Sequence, residues 1–212
     1  MALFIVLCLS IYSVLTVSEN KVESKQKLLL YALSSVSLGQ SGGYIVGAQR
    51  LAVNDINNRI DILPNYELHI ELINSNNSKT TSLKSALSIS STNSLLWSED
   101  NSTIIIPIVL GMPWSSLSIM TAPALAAFNW SQISSSATSI LLSDSSSYPT
   151  FYRTPPSDDL QAIAIIKLCQ QFNWTNIGII NINDNYGVYL TNNLLELAPK
   201  YNIRARASSF FF

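Results

Sequence analysis

The chain has 212 residues, and 48% of them are apolar or aromatic, which is enough to bury a sizeable core. Only 12% are charged, about half the usual share for a soluble domain, and Ser and Asn supply most of the polar groups. The net charge of −1 and the pI near 5.8 provide no basic footprint, so a nucleic-acid partner is excluded.

Residues 1–18 are typical of a secretory signal peptide, since residues 2–17 are almost unbroken apolar sequence followed by Glu19, Asn20 and Lys21. The usual positive charge before the apolar run is missing, so a buried helix or a signal anchor is the alternative. The apolar run is too short to span a bilayer comfortably, because a membrane span needs about 20 apolar residues. Cleavage would remove Cys8 and leave Cys169, which we expect to pair elsewhere or to be a buried thiol.

The N-glycosylation pattern Asn-X-Ser/Thr begins at Asn76, Asn101, Asn129 and Asn173. Together with a signal peptide, these sequons favour passage through the secretory pathway. We expect the first two on exposed loops and the other two near apolar segments.

The first segments alternate between strand and helix patterns. Residues 27–36 are a continuous apolar run that predicts a strand buried on both faces. Gly39, Gly42 and Gly43 are then expected to form a turn that opens a helix over 44–58. Residues 66–73 alternate between apolar and polar, which predicts a half-exposed strand near a sheet edge.

A weaker helical pattern covers 80–97, and 103–110 reads as a buried strand in which Pro107 predicts a bulge or an edge position. Residues 115–129 have a helical apolar stripe, and 130–134 form a short strand. Residues 135–149 show no periodicity and are predicted to be a long polar loop.

The last third begins with an extended piece over 151–154. Ser157, Asp158 and Asp159 are then expected to cap a helix over 160–172. A buried strand over 177–182, a helix over 186–200 and a strand over 204–212 follow. The order predicts an α/β fold with Rossmann-like parallel sheets. Pro155 and Pro156 are the expected boundary between two lobes, and the apolar last strand suggests that the domain continues.

No catalytic constellation is found in the sequence. His69 is the single His in the sequence, so no other residue could serve as the histidine of a catalytic triad. The glycines do not form the GxGxxG fingerprint of dinucleotide sites. Asp144, Asp184 and Glu196 lack metal-ligand spacing. We therefore predict no cofactor, no metal and no enzymatic activity.

Two hydroxyl clusters follow predicted strands. Ser115 and Ser116 open a helix after one strand, and 134–139 is a Ser- and Thr-rich loop after the next. Ligands of open α/β sheets bind at the carboxyl ends of the strands, and helix N-termini favour anions. The clusters predict a site for a small carboxylate, while ordinary capping and a Ser-rich loop are the alternative.

The ordered motifs from Gly111 onwards resemble the ligand-binding region of class C G-protein-coupled receptors. They are Ser115-Ser116-Leu117-Ser118-Ile119, Ser136-Ala137-Thr138-Ser139, Leu142-Ser143-Asp144, Tyr148-Pro149-Thr150-Phe151-Tyr152-Arg153-Thr154, Pro156-Ser157-Asp158, Phe172-Asn173-Trp174-Thr175 and Asp184-Asn185-Tyr186-Gly187. Upstream, 57–68 resembles the metabotropic GABA (type B) receptors most closely. The resemblance covers about residues 28–212.

The resemblance implies a clamshell of the periplasmic-binding-protein type I fold, with lobe 1 at 27–155 and the start of lobe 2 at 156–212. By position, Ser115 matches the residue that meets the ligand carboxylate, Ser136, Ala137 and Thr138 lie on the second contact loop, and Tyr186 covers the ligand from the opposite lobe. The implied ligand is GABA or a glutamate-like amino acid.

The resemblance further implies a receptor dimer at the extracellular side of the plasma membrane, with a G protein reached through a membrane domain outside this chain. Asn77 and Trp114 stand where type B GABA receptors pair two cysteines, and Pro155 replaces a His near the ligand. An alternative interpretation is therefore that the chain is a non-binding subunit of a heterodimer. Further alternatives are a guanylate cyclase or ionotropic glutamate receptor, a soluble solute-binding protein, and a truncated, non-signalling product.

Overall fold

The computed structural model describes residues 25–35, 41–92 and 103–210. The predicted signal peptide, Gly39 and the sequon at Asn101 lie outside these residues. The strands are β1 Gln26–Ser34, β2 Tyr66–Asn74, β3 Thr103–Gly111, β4 Ser131–Ser134, β5 Phe151–Arg153, β6 Asn176–Ile182 and β7 Arg204–Phe210. The helices are α1 Ser41–Asn58, α2 Lys79–Thr92, α3 Ser115–Ala126, α4 Asp158–Gln171 and α5 Asn185–Leu197, with short 3-10 turns at Ile140–Ser143 and Ala198–Tyr201.

The first five strands form one sheet in the order β2-β1-β3-β4-β5, and all of its pairs are parallel. Each parallel pair needs a crossover, and helices supply the crossovers up to β4. The predicted α/β fold with a Rossmann-like parallel sheet is confirmed. β2 is an edge strand, as its alternating pattern predicted.

The edge strand is anchored to α1 by one side chain. Asn57 Nδ2 donates to the Leu68 carbonyl, and Asn57 Oδ1 accepts the Leu68 N–H, each at 2.8 Å. A side-chain amide therefore satisfies backbone groups that an open sheet edge would leave unpaired.

Pro107 coincides with an irregularity in β3. The register between β1 and β3 shifts between Leu29 and Tyr31, which pair with Ile105 and Val109. Proline has no N–H to donate to the ladder, so it is tolerated where the pairing is interrupted. The predicted bulge is confirmed, and the strand lies inside the sheet.

The main core lies between the first sheet and helices α2 and α3. Its buried members are Tyr31, Leu33, Ala86, Ile89, Ile105, Val109, Met112, Leu117, Leu125 and Trp130. Leu33 is fully buried, and burial of such a side chain stabilises the fold by about 1.5–3 kcal/mol.

The second sheet consists of β6 and β7, which are parallel. Its core joins α4 and α5 to one face through Ala162, Ile166, Cys169, Leu194, Ala198 and Ile203. The prediction that 177–182 is buried on both faces is wrong here, because alternate residues are exposed and Ile180 is 74% exposed. In the described part of the chain, both helices pack on the same face.

Two further expectations are corrected. Gly42 and Gly43 lie inside α1 instead of forming a turn before it. The helix predicted over 80–97 is present up to Thr92, and the rest of its predicted range lies outside the described residues. The loop over 135–149 is not uniformly polar, because Ala137 and Leu142 are buried in it and pack with Ala122 and Phe151.

Candidate ligand-binding site

A cavity of about 600 Å³ opens where the carboxyl ends of both sheets meet the start of α1. Its walls come from segments that are far apart in the chain but converge at these strand ends. The lining residues are Tyr44, Ile45, Pro113, Trp114, Ser115, Ser136, Thr138, Gln161, Ile182, Asp184 and Tyr186. The structure thus brings four of the predicted ligand-binding residues, Ser115, Ser136, Thr138 and Tyr186, to one cavity.

Ser115 is the first residue of α3 and is almost buried, with 6% of its surface exposed. Its Oγ accepts the Ser139 N–H at 3.1 Å, so the hydroxyl proton is still available for a ligand. Trp114 occupies the N-cap position, and no side chain caps the first turn. The outward N–H groups and the positive helix end therefore face the cavity without a protein acceptor from a cap.

The second hydroxyl loop is held in place by Ser134 at the end of β4. Ser134 is fully buried, and its Oγ donates to the Met112 carbonyl at 2.7 Å while accepting the Ala137 N–H at 3.0 Å. Ser136 Oγ donates to the Pro113 carbonyl at 2.9 Å. These bonds join the loop after β4 to the loop after β3, so the two hydroxyl clusters form one surface.

A buried polar network lies beneath these loops. Gln132 Nε2 donates to Ser118 Oγ at 3.0 Å, and Ser118 Oγ donates to the Met112 carbonyl at the same distance. Thr121 Oγ1 donates to Gln132 Oε1 at 2.8 Å. Satisfied networks of this kind hold their members in one arrangement, which keeps the loops in register with α3.

Gly111 makes the turn after β3 possible. Its φ is +125°, and an added Cβ would lie 2.0 Å from the Leu33 carbonyl oxygen. Only glycine fits this conformation and this close approach to β1. The position of Met112 to Ser115 at the cavity therefore depends on the absence of a side chain at Gly111.

The wall beyond β6 contains Ile182, Asp184 and Tyr186. Asp184 is the N-cap of α5, and its Oδ1 accepts the Gly187 N–H at 2.8 Å. An added Cβ on Gly187 would lie 2.2 Å from the Ile182 carbonyl oxygen, so α5 begins very close to the strand end. Tyr186 is 36% exposed and lines the cavity opposite the hydroxyl loops.

Ala137 does not line the cavity, although the sequence placed it among the site residues. It is fully buried with Ala122 and Leu142, and its N–H already donates to Ser134 Oγ. Its methyl group supports the loop from below, and its neighbours Ser136 and Thr138 face the cavity.

Several wall residues were missed by the sequence interpretation, namely Tyr44, Ile45, Pro113, Gln161 and Ile182. Trp114 was noted beside Ser115, at a position where the resemblance implies a cysteine, but it was not among the predicted ligand-binding residues. A helical or strand pattern accounts for most of these side chains, so nothing in the sequence separates them from core residues. For Trp114, a large aromatic directly before a helix was the available signal.

Asp158 was interpreted as a helix cap, and the structure corrects this. It lies in the first turn of α4, is 1% exposed, and neither carboxylate oxygen has a partner at hydrogen-bond geometry. Burial raises the pKa of Asp158 above its usual value, while Thr138 and the Arg153 charge act in the opposite direction. Its N–H donates to the carbonyl of Thr138, a cavity residue, at 3.0 Å.

Electrostatically, the cavity is mildly acidic. Among the described lining residues, Asp184 is the one that carries a formal charge at neutral pH. Arg153 lies on the other side of the hydroxyl loop, where it donates to the Ser139 carbonyl at 2.8 Å and to Ser143. Burial lowers the pKa of Arg153, and the charges of Asp158 and Asp159 oppose this.

No group of three or more His, Cys, Asp or Glu side chains that could hold a metal ion occurs among the described residues. Within the same residues, no helix combines the length and the apolar character that crossing a bilayer requires.

Comparison with known proteins shows the family. A model described as "Receptor family ligand binding region" matches residues 45–211. The chain belongs to this receptor family. Mouse (Mus musculus) taste receptor type 1 member 3 is 32% identical over 151 residues, which are 69% of this chain and 18% of the relative. Mouse taste receptor type 1 member 1 is 31% identical over 173 residues, 80% of this chain and 20% of the relative.

The metabotropic glutamate receptor of Drosophila melanogaster is 29% identical over 180 residues, 76% of this chain and 18% of the relative. The receptor-family chain thus spans about a fifth of the length of the curated relatives it matches. These relatives support the predicted class C receptor ligand-binding region. Because they are receptors, the prediction of a non-enzymatic protein is confirmed. They are taste and glutamate receptors, so a special closeness to type B GABA receptors stays a prediction.

The described sequons lie at the surface. Asn76, Asn129 and Asn173 are all exposed, and each has a positive φ between 50° and 60°. The expected exposure of Asn76 is confirmed. Asn129 and Asn173 flank apolar segments as expected, yet both occupy turns with accessible side chains.

Proposed function

We propose that this chain is the extracellular ligand-binding region of a G-protein-coupled receptor and that it binds a free amino acid in the cavity described above. The observation that carries this proposal is the convergence of Ser115, Ser136 and Thr138 with Tyr186 from beyond the second sheet. The lobes would be 27–155 and the part beginning at 156, and a ligand held by both would favour their closed arrangement.

The carboxylate of the amino acid would bind at the start of α3. The Ser115 hydroxyl proton and the uncapped first-turn N–H groups are the donors there. Anions at such helix ends are stabilised by about 0.3–1 kcal/mol and more where the site is partly buried. The Ser136 and Thr138 loop would close the same end of the cavity.

The ammonium group would be attracted by two carboxylates. Asp184 lies in the wall, and the unpaired, buried Asp158 adds negative potential behind Thr138. Binding of a cation near Asp158 would lower the pKa that burial raises, so the site would take up an amino acid more tightly as this carboxylate ionises.

The wider context is proposed on the family relationship. The chain would enter the secretory pathway, carry glycans at its exposed sequons, form a receptor dimer and act on a G protein through a membrane domain. The resemblance to type B GABA receptors makes GABA a ligand to be tested, together with glutamate.

Binding to the purified, secreted chain tests the site. In titration calorimetry against a panel of amino acids, Ser115→Ala should weaken binding about 10-fold or more, which corresponds to the loss of a hydrogen bond to a charged group. Ser135→Ala is the matched control, since Ser135 is exposed on the hydroxyl loop and is not a lining residue. Equal affinities for both variants and the parent chain would refute the site.

A further inference from the structure

The walls of the cavity contain large apolar side chains that are unusually exposed. Tyr44 is 78% exposed, Ile182 49%, Trp114 47% and Tyr186 36%. A cluster of exposed apolar side chains around a cavity marks a binding surface more often than a single exposed residue does. These four residues come from α1, the β6 end, the loop after β3 and α5, so tertiary folding alone assembles the cluster.

One polar atom of this cluster already has a hydrogen-bond partner within the protein. Trp114 Nε1 donates to Asn77 Oδ1 at 3.3 Å, which leaves the ring as the part of Trp114 that a ligand can contact. Ile45 and Pro113 extend the same apolar wall. The cavity therefore has a hydroxyl-rich part near Ser115 and an apolar, partly aromatic part around it.

The charge in the wall argues against an acidic side chain on the ligand. A distal carboxylate would meet the acidic side chain of Asp184, which caps α5. Like charges in a partly dehydrated cavity repel, and no cationic lining residue occurs among the described residues to offset this.

We infer that the ligand is an amino acid with an apolar side chain, either branched aliphatic or aromatic, and not glutamate. The inference rests on the proposed function, since it uses the same site for the carboxylate and ammonium groups. It departs from the GABA or glutamate-like ligand that the family resemblance suggested.

The size of the cavity fits such a ligand. Its volume of about 600 Å³ lies within the range of about 300–1,000 Å³ that small-molecule sites occupy. Ser115 and the first turn of α3 supply donors for one carboxylate, which a free amino acid carries at its α-carbon. Burying an apolar side chain against the wall would add about 25 cal/mol per Å² of surface removed from water.

The test is a binding panel on the purified chain with glycine, leucine, phenylalanine, glutamate and GABA. Leucine and phenylalanine should bind at least 10-fold more tightly than glycine, because all three share the carboxylate and ammonium contacts and differ in apolar surface. Glutamate should bind more weakly than either of them. If glutamate or GABA binds most tightly, the inference is overturned while the proposed amino-acid site stands.

A matched pair of variants locates the apolar contact. Ile182→Asn should weaken leucine and phenylalanine binding about 10-fold and leave glycine binding nearly unchanged. Ile180→Asn is the control, since Ile180 lies on the same strand, is 74% exposed and is not a lining residue. Equal effects of both variants would overturn the inference, and a chain that binds no amino acid would overturn the proposed function together with it.

Discussion

The indole Nε1 of Trp114 donates a hydrogen bond to Asn77 Oδ1 at 3.3 Å, and the two residues are 37 positions apart in the chain. They connect the loop after β2 with the N-cap of α3, which presents Ser115 to the cavity. The predicted resemblance to type B GABA receptors implies paired cysteines at these two positions, and this chain has a polar contact there instead.

The predicted resemblance implies that a covalent link can be formed at these two positions. The double variant Asn77→Cys/Trp114→Cys should form a disulfide and raise the free energy of unfolding by about 2–4 kcal/mol, because the bond restricts the unfolded chain. Urea denaturation with and without reductant measures the gain. Each single variant is the control and should show none, and a double variant with equal stability in both conditions would contradict the prediction.

Gly111→Ala should destabilise the fold severely, by about 3 kcal/mol or more, because the new Cβ would overlap the Leu33 carbonyl at a φ that side chains disfavour. Gly178→Ala is the matched control within a strand. A Cβ there would meet no atom within 4 Å, so its stability should stay equal or rise slightly. Thermal unfolding of the two variants side by side decides the point, and similar melting temperatures would contradict it.

Ser134→Ala should cost about 1–3 kcal/mol, since it leaves the buried Ala137 N–H without its acceptor and removes a donor to Met112. It should also weaken ligand binding, because Ser134 holds the Ser136 loop against the loop after β3. Ser145→Ala, at an exposed site further along the same segment, should change stability by less than about 0.5 kcal/mol. Denaturant titration checks both, and equal midpoints would refute the assigned role of Ser134.

Asp158→Asn should stabilise the unliganded chain at neutral pH by about 1 kcal/mol, because it removes a buried charge whose desolvation outweighs the favourable effects of Thr138 and Arg153. Burial raises the folded-state pKa of Asp158 above its unfolded value, so ionisation costs stability as pH rises between these two values. The gain should therefore be full above the folded-state pKa and vanish below about pH 3.9, where the carboxyl is protonated in both states.

Asp144→Asn serves as the control with the opposite sign. Hydrogen bonds from Ser146 and Ser147 lower the pKa of Asp144, so its carboxylate stabilises the folded state above the unfolded pKa, and this is lost as pH falls through the folded one. Melting temperatures of both variants and the parent chain from about pH 2 to pH 8 separate the two cases, because both windows extend below the unfolded pKa of about 3.9. A pH-independent difference for Asp158→Asn would contradict the argument.

The sequence by itself determined the order of elements, the parallel sheet and the edge position of β2. These follow from local periodicity, since a continuous apolar run and an alternating one bury different faces. It also predicted that Ser115, Ser136, Thr138 and Tyr186 bind a ligand, because hydroxyls after strands and ordered family motifs are visible along the chain, and all four line one cavity.

Only the tertiary structure decided how these groups combine. The apolar wall of Tyr44, Trp114 and Ile182 forms from segments that are distant in sequence, and each of them reads locally as an ordinary helix, loop or strand residue. Likewise, the sequence around Asp158 does not show whether its side chain caps the helix or is buried without a hydrogen bond. Its role depends on how closely α4 packs against the Thr138 loop, which is a matter of long-range packing and not of local pattern.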